Sequence, residues 1–250
     1  MIIDNREKTV SLTPEQIRLL CDRRFGIGAD GLMLLELEPG IDFKMVYFNS
    51  DGNESSMCGN GGRCITAFAK KMGIITTDAK FLAIDGMHES KIAEDQVSLK
   101  MNDVRDMEVG DDYFFLNTGS PHYVKFVKDI DHFDVVTEGK KIRYNERFKA
   151  EGTNVNFIER KEQELFVRTY ERGVENETLS CGTGVTAAAL VAGFKGLSTD
   201  KKNCHIKTLG GNLNVKFEKV LENTFYNIWL EGSAVYVFET LIEVPEHLPV

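Results

Sequence analysis

Apolar and polar positions along the first hundred residues predict short strands around two helices. Apolar runs at 31–37 and 44–48 indicate strands, and several more short strands follow between 81 and about 101. The sequence Thr13-Pro14-Glu15-Gln16 predicts a helix start, because Thr is a favoured cap, Pro fits the first helical turn and Gln completes a capping box. We expect that helix to end near Cys21.

The second half of the chain has the same kind of pattern. The polar segment 171–180 is interpreted as a turn, and a helix is predicted from Cys181 to about Gly196. Strands are predicted before and after this helix, at 113–116, 123–127, 154–159, 164–170, 205–208, 213–218, 224–230 and 234–242.

An internal repeat relates the two halves. A shift of 123 residues aligns 57–73 with 180–196, and both segments begin with Cys-Gly-x-Gly after a strand and a polar turn. Both then continue as a helix of small residues that ends at a Gly. Because the offset is close to half of the chain length, the repeat predicts two similar domains.

We place the domain boundary in the acidic segment 102–112. The expected N-terminal domain is then 1–112 and the C-terminal domain is 113–250, with a final strand near 236–243 that packs back on the first domain. Many strands with few helices predict the α+β class. We expect two similar mixed α/β domains, each a curved, barrel-like sheet around a central helix.

Composition and charge narrow the class of protein further. The 250 residues are 42% hydrophobic and 28% charged, which is enough apolar material for a sizeable core. The net charge of −9 argues against nucleic acid as a partner. The longest nearly apolar stretch, 185–194, is shorter than the roughly 20 residues of a membrane span, and early charges argue against a signal peptide. We therefore expect a cytoplasmic protein with no membrane partner.

Five cysteines, an odd number, predict reduced thiols rather than a disulfide framework. Cys64 lies in the first turns of the small-residue helix and is predicted to belong to the core. Cys58 and Cys181 are different, because each stands at the start of a predicted helix. Unpaired amide groups at a helix N-terminus carry partial positive charge, so they stabilise a thiolate and bind carboxylates.

Two such cysteines suit the removal and return of a proton at the α-carbon of an amino acid. If the domains face each other by pseudo-twofold symmetry, both helix N-termini point at one cleft. One cysteine then removes the proton as a thiolate, and the other delivers a proton to the opposite face. The amide groups around the carboxylate stabilise the charge that develops, and this scheme needs no pyridoxal phosphate.

The segments around both cysteines resemble the diaminopimelate epimerase family. The resemblance covers nearly the whole chain in order, and the paired cysteine signatures are highly specific. The matching segments are 48–52, 57–64, 168–173 and 178–184, with Gly119-Ser120-Pro121-His122 and Asn154-Val155-Asn156-Phe157 between them.

The resemblance implies the conversion of LL- to meso-2,6-diaminopimelate, in lysine and peptidoglycan precursor biosynthesis. It implies two mixed α/β domains with the site between them, no cofactor and no metal, and Cys58 and Cys181 as the acid–base pair. The residues that it assigns to substrate binding are Asn49, Gly59, Asn60, Ser120, Asn154, Glu171, Arg172, Gly182 and Thr183, and those that tune the thiols are His122 and Glu171.

These positions divide by chemistry. The resemblance implies that Gly59, Asn60, Gly182 and Thr183 hold the reacting carboxylate, largely through backbone N–H groups. It places Asn49, Asn154 and Arg172 toward the distal amino-acid end, and Glu171 against an ammonium group. Arg is a natural bidentate partner of a carboxylate, which agrees with this assignment.

Three features depart from the family pattern. The family's opening strand and its His-Gly-x-Gly-Asn-Asp-Phe-like segment have no counterpart before Met1-Ile2-Ile3, so a substrate-contacting Asn is expected to be missing. Ser120 stands where an Asn is common, and its hydroxyl replaces that contact only in part. The segment from Glu171 to Cys181 is one residue longer than in many relatives, which predicts a bulge.

Two other kinds of site fit the sequence less well. The Gly-x-Gly-x-x-Gly match at 26–31 follows a helix and precedes a strand, the reverse of the dinucleotide-binding context. A zinc site from Cys58, Cys64, Cys204 and His205 lacks paired ligand spacing.

Three alternatives share the predicted architecture. A proline or hydroxyproline racemase is disfavoured by Asn60, where Cys-Gly-His-Gly is expected. Phenazine-biosynthesis isomerases lack the paired cysteines. A catalytically inactive amino-acid-binding form stays open, as does the oligomeric state, a homodimer among the alternatives.

Overall fold

The computed structural model describes residues 1–221 and 223–244, which group into two compact units. The first unit is Met1–Leu99 with the described residues from Ser233 onward, and the second is Lys100–Gly232. Residues 100–112 therefore group with the second unit. Two pairings explain this grouping, because the Met101 amide donates to the Ile228 carbonyl and Val104 exchanges backbone hydrogen bonds with Phe225.

The first unit contains six strands paired in sequence order and two helices. The β1–β2 pair is parallel, β2–β3 is antiparallel, β3–β4 is parallel, and β4–β5 and β5–β6 are antiparallel. The elements are β1 (Ile2–Asp4), α1 (Pro14–Cys21), β2 (Gly31–Glu36), β3 (Phe43–Asn49), α2 (Gly59–Lys71), β4 (Asp78–Ala83), β5 (Gly86–Ala93) and β6 (Gln96–Lys100).

Helix α1 begins where the capping signal predicts. The Thr13 hydroxyl accepts a hydrogen bond from the Gln16 amide, the Gln16 side chain accepts one from the Thr13 amide, and Pro14 occupies the first turn. The buried face of α1 packs Ile17 and Leu20 against Leu32 of β2, and this cluster closes one side of the unit.

The second unit contains nine strands, three of which precede its first helix. Its path is β15-β14-β13-β11-β10-β9-β8-β7, with the short β12 paired to β11. The strands are β7 (Met107–Val109), β8 (Phe114–Asn117), β9 (Pro121–Phe126), β10 (Asn154–Lys161), β11 (Glu164–Glu171), β12 (Asn176–Thr178), β13 (Asn203–Thr208), β14 (Gly211–Leu221) and β15 (Thr224–Ser233); the helices are α3 (Val135–Arg143) and α4 (Gly182–Phe194).

Each unit repeats one topology, which confirms the repeat that the sequence predicts. The β10–β11 pair is antiparallel, β11–β13 is parallel, and β13–β14 and β14–β15 are antiparallel, as for β2 to β6. In both units the central helix connects the second and third strands of this set. Helices α2 and α4 each span 13 residues and begin 123 residues apart. The mixed α/β fold class with curved sheets is therefore confirmed.

The central helices differ in how fully they are buried. Helix α4 contacts strands β8, β9, β10, β11, β13 and β14, so the sheet curves around it. Its positions from Val185 to Ala192 are all buried, and small side chains permit the close approach. Helix α2 is amphipathic, with Ile65 and Ala69 on its buried face.

The structure differs from the predicted elements in several places. Helix α3 was missed because the β-branched Val135-Val136-Thr137 and the interior Gly139 are poor helix formers. Its cap is present, since the Asp134 carboxylate accepts from the Thr137 amide, and a Cβ at Gly139 would lie 2.5 Å from the Tyr170 side chain. Close packing therefore explains that glycine.

The predicted turn over 171–180 and the predicted strand over 234–242 are also corrected. Strand β12 folds back on β11, and Gly173 and Glu175 adopt positive φ angles of 92° and 56° in the connecting turn. Residues 234–242 are all described and form no strand. In the described part of the chain, no helix is both long and apolar enough to cross a membrane.

Truncating a side chain in the centre of α4 tests how far the second unit depends on that helix. We expect Leu190→Ala to lower the free energy of unfolding by about 2–5 kcal/mol, because Leu190 is fully buried and its truncation leaves a cavity. Chemical denaturation measures this. The exposed Leu209→Ala should change it by less than about 0.5 kcal/mol, and equal losses for the two variants would contradict the central role of α4.

Candidate active site

The N-terminus of α2 is organised around Cys58. Cys58 caps the helix with extended backbone, and its Sγ accepts a hydrogen bond from the Gly61 amide at 3.2 Å. A Cβ at Gly61 would lie 3.2 Å from this sulfur, so glycine keeps the approach close. Gly59 is buried in the first turn, while Cys58 and Asn60 are exposed. The geometry presents a thiol and helix amide groups together.

Arg63 is a buried cation in the same turn, and the sequence analysis assigned it no role. It is 7% exposed; its Nη1 donates to the Gly59 carbonyl at 3.1 Å and its Nη2 to Asn60 Oδ1 at 2.9 Å. Within the described part of the chain, its Nε has no hydrogen-bond partner. Burial lowers the pKa of Arg63, and the guanidinium interacts electrostatically with the thiols of Cys64 and Cys58. The signal available in the sequence was the spacing, since Arg63 follows Gly59 and Asn60 by four and three residues on a helix.

Asn49 is the last residue of β3 and is exposed. It opens the predicted turn, in which the Asn49 amide donates to the Asn53 carbonyl and the Gly52 amide donates to the Asn49 carbonyl. The turn places residue 52 at a positive φ of 87°, which favours glycine, and a Cβ at this position would meet the backbone of Pro14. The backbone of Asn49 is therefore held at a strand end by a tight turn.

The N-terminus of α4 places Cys181 beside a hydroxyl. Cys181 is half-buried at the cap position, and its Sγ lies 3.5 Å from Thr183 Oγ1. The Thr118 hydroxyl donates to the Thr183 carbonyl at 2.8 Å. Gly182 is buried as the first helical residue. Thr183 is thus fixed at both its carbonyl and its side chain.

His122 is completely buried beneath this turn. Its Nε2 lies 2.9 Å from Thr183 Oγ1, and its Nδ1 lies 3.0 Å from Asn156 Nδ2. Burial lowers the pKa of His122 to about 3, and the charge of Arg172 acts in the same direction. The ring is therefore neutral at physiological pH, and hydrogen bonding rather than charge links it to Thr183.

Ser120, Asn154 and Arg172 form a second polar cluster in this unit. Asn154 Nδ2 donates to Ser120 Oγ at 3.1 Å, and Asn154 Oδ1 accepts from the Arg172 amide at 2.9 Å. Arg172 Nη2 lies 3.4 Å from Ser120 Oγ, while Nη1 donates to the Glu151 carbonyl. Because Arg172 is exposed, its guanidinium can also meet a ligand.

Glu171 lies at the end of β11 next to this cluster. Its Oε2 accepts a hydrogen bond from the Thr178 hydroxyl of β12 at 2.8 Å, across the hairpin that replaces the predicted turn. The second unit thus gathers eight of the predicted site residues on or directly beside β9, β10, β11 and the start of α4. The first unit holds Asn49, Cys58, Gly59 and Asn60.

Asn156 and Thr118 are further polar residues that sequence reasoning missed. A detectable signal existed for Asn156, because Asn154 and Asn156 are two apart on one strand and so face the same side of it. Both are at most 4% exposed, which is unusual for asparagine unless it is hydrogen-bonded.

The remaining cysteines differ in exposure. Cys21 and Cys204 are buried, and burial raises the pKa of Cys204 to about 12. The prediction that Cys64 belongs to the core is wrong, because Cys64 is exposed on the solvent side of α2. Among residues 1–221 and 223–244, no three or more His, Cys, Asp or Glu side chains are arranged to hold a metal ion.

A cysteine that caps the equivalent helix in each of two repeats of one α/β fold defines a class of protein, the two-cysteine amino-acid racemases and epimerases. The family model described as diaminopimelate epimerase matches residues 1–105 and 114–237. The chain belongs to the diaminopimelate epimerase family.

Individual relatives agree with this assignment. The diaminopimelate epimerase of Flavobacterium psychrophilum is 52% identical over 249 residues, covering 97% of this chain and 95% of that protein. The diaminopimelate epimerase of Chlorobaculum tepidum is 43% identical over 252 residues, covering 97% and 96%.

Solved structures show the same fold at low sequence identity. A phenazine biosynthesis protein of the PhzF family from Bacillus anthracis has a TM-score of 0.69 at 16% identity, covering 96% of this chain and 92% of that chain. A probable proline racemase from Agrobacterium radiobacter has a TM-score of 0.67 at 16% identity, covering 93% and 81%.

Removing the charge of Arg63 tests its effect on Cys58. A nearby cation favours a thiolate, so we expect Arg63→Met to slow alkylation of Cys58 at neutral pH by several-fold, up to about tenfold for each unit by which the thiol pKa rises. Mass spectrometry of the Cys58 peptide over a pH series measures the rate. Lys70→Met removes a charge at the far end of α2 and should leave the rate unchanged; an unaltered rate in Arg63→Met would refute the coupling.

The buried neutral His122 predicts a pH dependence of stability. Its pKa is about 3 when folded and about 6.5 when unfolded, so the unfolded state binds the proton more strongly. We therefore expect His122 to lower stability as pH falls from 6.5 toward 3, by at most about 1.4 kcal/mol per pH unit. Denaturant unfolding between pH 7 and pH 4 measures how the free energy of unfolding changes with pH. This change should be smaller in His122→Gln than in the unmodified protein, and an equal change in both would contradict the prediction.

Proposed function

We propose that this member of the diaminopimelate epimerase family converts LL- to meso-2,6-diaminopimelate by proton transfer between Cys58 and Cys181. The observation that carries the proposal is the capping of both repeated helices by a cysteine, in a chain of this family. Each cysteine has the first-turn amide groups of its helix beside it, where a carboxylate is stabilised.

The reaction balances as a pair of proton transfers. One cysteine acts as a thiolate and takes the α-proton, while the other acts as a thiol and gives a proton to the opposite face of the carbon. The first ends as a thiol and the second as a thiolate, so no electron donor or acceptor is consumed. The α-carboxylate takes up charge as the C–H bond breaks, and amide groups that already point at it lower the barrier.

The amides proposed to hold that carboxylate belong to the first turns of the two helices. They are those of Gly59 and Asn60 in α2, and Gly182 and Thr183 in α4. Asn60 supports this role in a second way, because its Oδ1 accepts from Arg63 and the other end of its amide group is a donor.

The cluster of Ser120, Asn154 and Arg172 is proposed to hold the distal amino-acid end, together with Asn49. Arg172 supplies a planar donor for a carboxylate, and its backbone is fixed by Asn154. Glu171 is proposed to accept from a substrate ammonium group, with its other contact made by Thr178. Ser120 is already an acceptor for Asn154, so its hydroxyl hydrogen is the group it offers to a ligand.

His122 and Glu171 are proposed to tune the thiols. For His122, the support is its 2.9 Å approach to Thr183, whose hydroxyl lies beside Cys181. The cytoplasmic location and the homodimer remain predictions, which fractionation and sedimentation equilibrium would check.

Exchange of the α-proton in deuterated water tests the function. We expect the unmodified protein to incorporate deuterium into diaminopimelate and to interconvert its stereoisomers, as followed by NMR and chiral chromatography. Cys58→Ala and Cys181→Ala should each lose exchange and epimerisation by about 100-fold or more, because each removes one proton-transfer group.

Cys64→Ser is the matched control, since it changes another exposed cysteine on α2. It should retain activity. Binding of diaminopimelate without exchange in the unmodified protein would identify the inactive binding form instead, and exchange of proline but not diaminopimelate would identify a proline-type racemase.

A further inference from the structure

Asn156 is the third residue of β10 and is fully buried with three polar partners, and the proposed mechanism gives Asn156 itself no role. Its Nδ2 lies 3.2 Å from the Tyr123 carbonyl and 3.0 Å from His122 Nδ1. Its Oδ1 lies 2.9 Å from the Thr169 hydroxyl. All three partners are buried. Turning a buried amide away from its hydrogen-bond partners costs free energy. The orientation of the Asn156 amide is therefore fixed, and it determines which partner atoms donate and which accept.

The Tyr123 carbonyl decides which way the Asn156 amide points. A backbone carbonyl only accepts hydrogen bonds, so the amide group facing it must be the NH₂. The reversed amide would set Asn156 Oδ1 against the Tyr123 carbonyl, with no proton between these two oxygens, and would turn the NH₂ toward Thr169. The same NH₂ also faces His122 Nδ1, and this nitrogen is therefore an acceptor and carries no proton.

The protonation of His122 then follows. A neutral imidazole has one proton, and with Nδ1 as acceptor the proton is on Nε2. His122 Nε2–H donates to Thr183 Oγ1. The Thr183 hydroxyl, which accepts from the ring, has its own proton for another acceptor, and Cys181 Sγ lies 3.5 Å away.

We propose that Asn156 is a positioning residue that fixes His122 in the Nε2-protonated form and so directs the Thr183 hydroxyl proton to Cys181 Sγ. With the opposite tautomer, Thr183 would donate to the ring nitrogen and turn its oxygen lone pairs toward the sulfur. The direction of the hydrogen bond between Thr183 and Cys181 is therefore set by Asn156, which is 34 residues from His122 in the sequence. The effect of Asn156 on catalysis rests on the proposed function of Cys181, whereas the predicted tautomer of His122 holds independently of that function.

Gly184 supports the tight fit of this network. A Cβ at Gly184 would lie 2.3 Å from Asn156 Oδ1 and 3.3 Å from the His122 ring. The second glycine of the Cys-Gly-x-Gly sequence in α4 thus makes room for Asn156, while the corresponding glycine of α2, Gly61, lies against Cys58 Sγ and methionine side chains. The network belongs to one repeat only.

The tautomer can be observed in the unmodified protein. Long-range ¹H–¹⁵N spectra of the ¹⁵N-histidine-labelled protein separate a protonated ring nitrogen from an unprotonated one. We expect His122 to show a protonated Nε2 and an unprotonated Nδ1 from pH 8 down to about pH 5, and His122→Gln assigns the signals. A protonated Nδ1 of His122 in the unmodified protein would overturn the proposal.

The effect on Cys181 is measured by its alkylation rate. A hydroxyl that donates to a thiolate favours it, so we expect Thr183→Val to slow alkylation of Cys181 at neutral pH by about tenfold, the equivalent of one unit of thiol pKa. Thr183→Ser keeps the hydroxyl and should react at nearly the rate of the unmodified protein. Asn156→Leu has a similar shape but no amide, and should slow Cys181 by several-fold and give mixed His122 tautomers.

Cys58 peptides from the same samples provide the reference, and circular dichroism shows whether Asn156→Leu is folded. A purely structural role for Asn156 would lower thermal stability and leave the tautomer and the rate–pH profile of Cys181 unchanged, which would refute the proposal. If these two readouts change as expected but the unmodified protein exchanges no α-proton, the proposed function fails and the positioning role stands.

Discussion

Each unit depends on how the first turn of its central helix satisfies its amide and thiol groups. The first amides of a helix have no partner within the helix, and strands cover much of α2 and α4. In α2 a cysteine cap followed by Gly meets part of this constraint, because the Cys58 Sγ accepts a hydrogen bond from the Gly61 amide. In α4 the Sγ of Cys181, at the equivalent cap position, lies 3.5 Å from the Thr183 hydroxyl instead. The same amides that make a buried helix start costly are also suited to bind a carboxylate. The fold and the candidate chemistry therefore have a single physical origin.

The two helix starts are equivalent in backbone but not in surroundings. Cys58 accepts from a helix amide and has the buried Arg63 cation near it, whereas Cys181 has a hydroxyl that is ordered by a neutral histidine. One thiol thus has a buried cation near it, and the other has a hydroxyl 3.5 Å from its sulfur. Two thiols at equivalent positions of a repeated fold can in this way have different acidities without any change of topology.

In the second unit, buried polar side chains determine how the hydrogen-bonding groups of the candidate site are oriented. Asn154 and Asn156 are on the same face of β10 because side chains alternate along a strand. One is directed to the backbone of Arg172 and the other to His122. Every polar atom that they bury has a partner, so the cost of burial is offset and a single arrangement is favoured over its alternatives.

The sequence by itself determined the repeat, the two capped helices, most strands and both cysteines at helix starts, because these depend on contacts within a few residues and on hydrophobic periodicity. Tertiary structure alone decided the burial of Arg63 and His122, the role of Asn156, the formation of α3 against Tyr170, and the absence of a strand over 234–242. Thr183 and His122 are 61 residues apart, and their hydrogen bond exists only because β9 and the start of α4 meet in the folded unit. Local patterns contain no information on which distant polar groups will share a buried space, so that part of the site is decided by the packing of the folded chain.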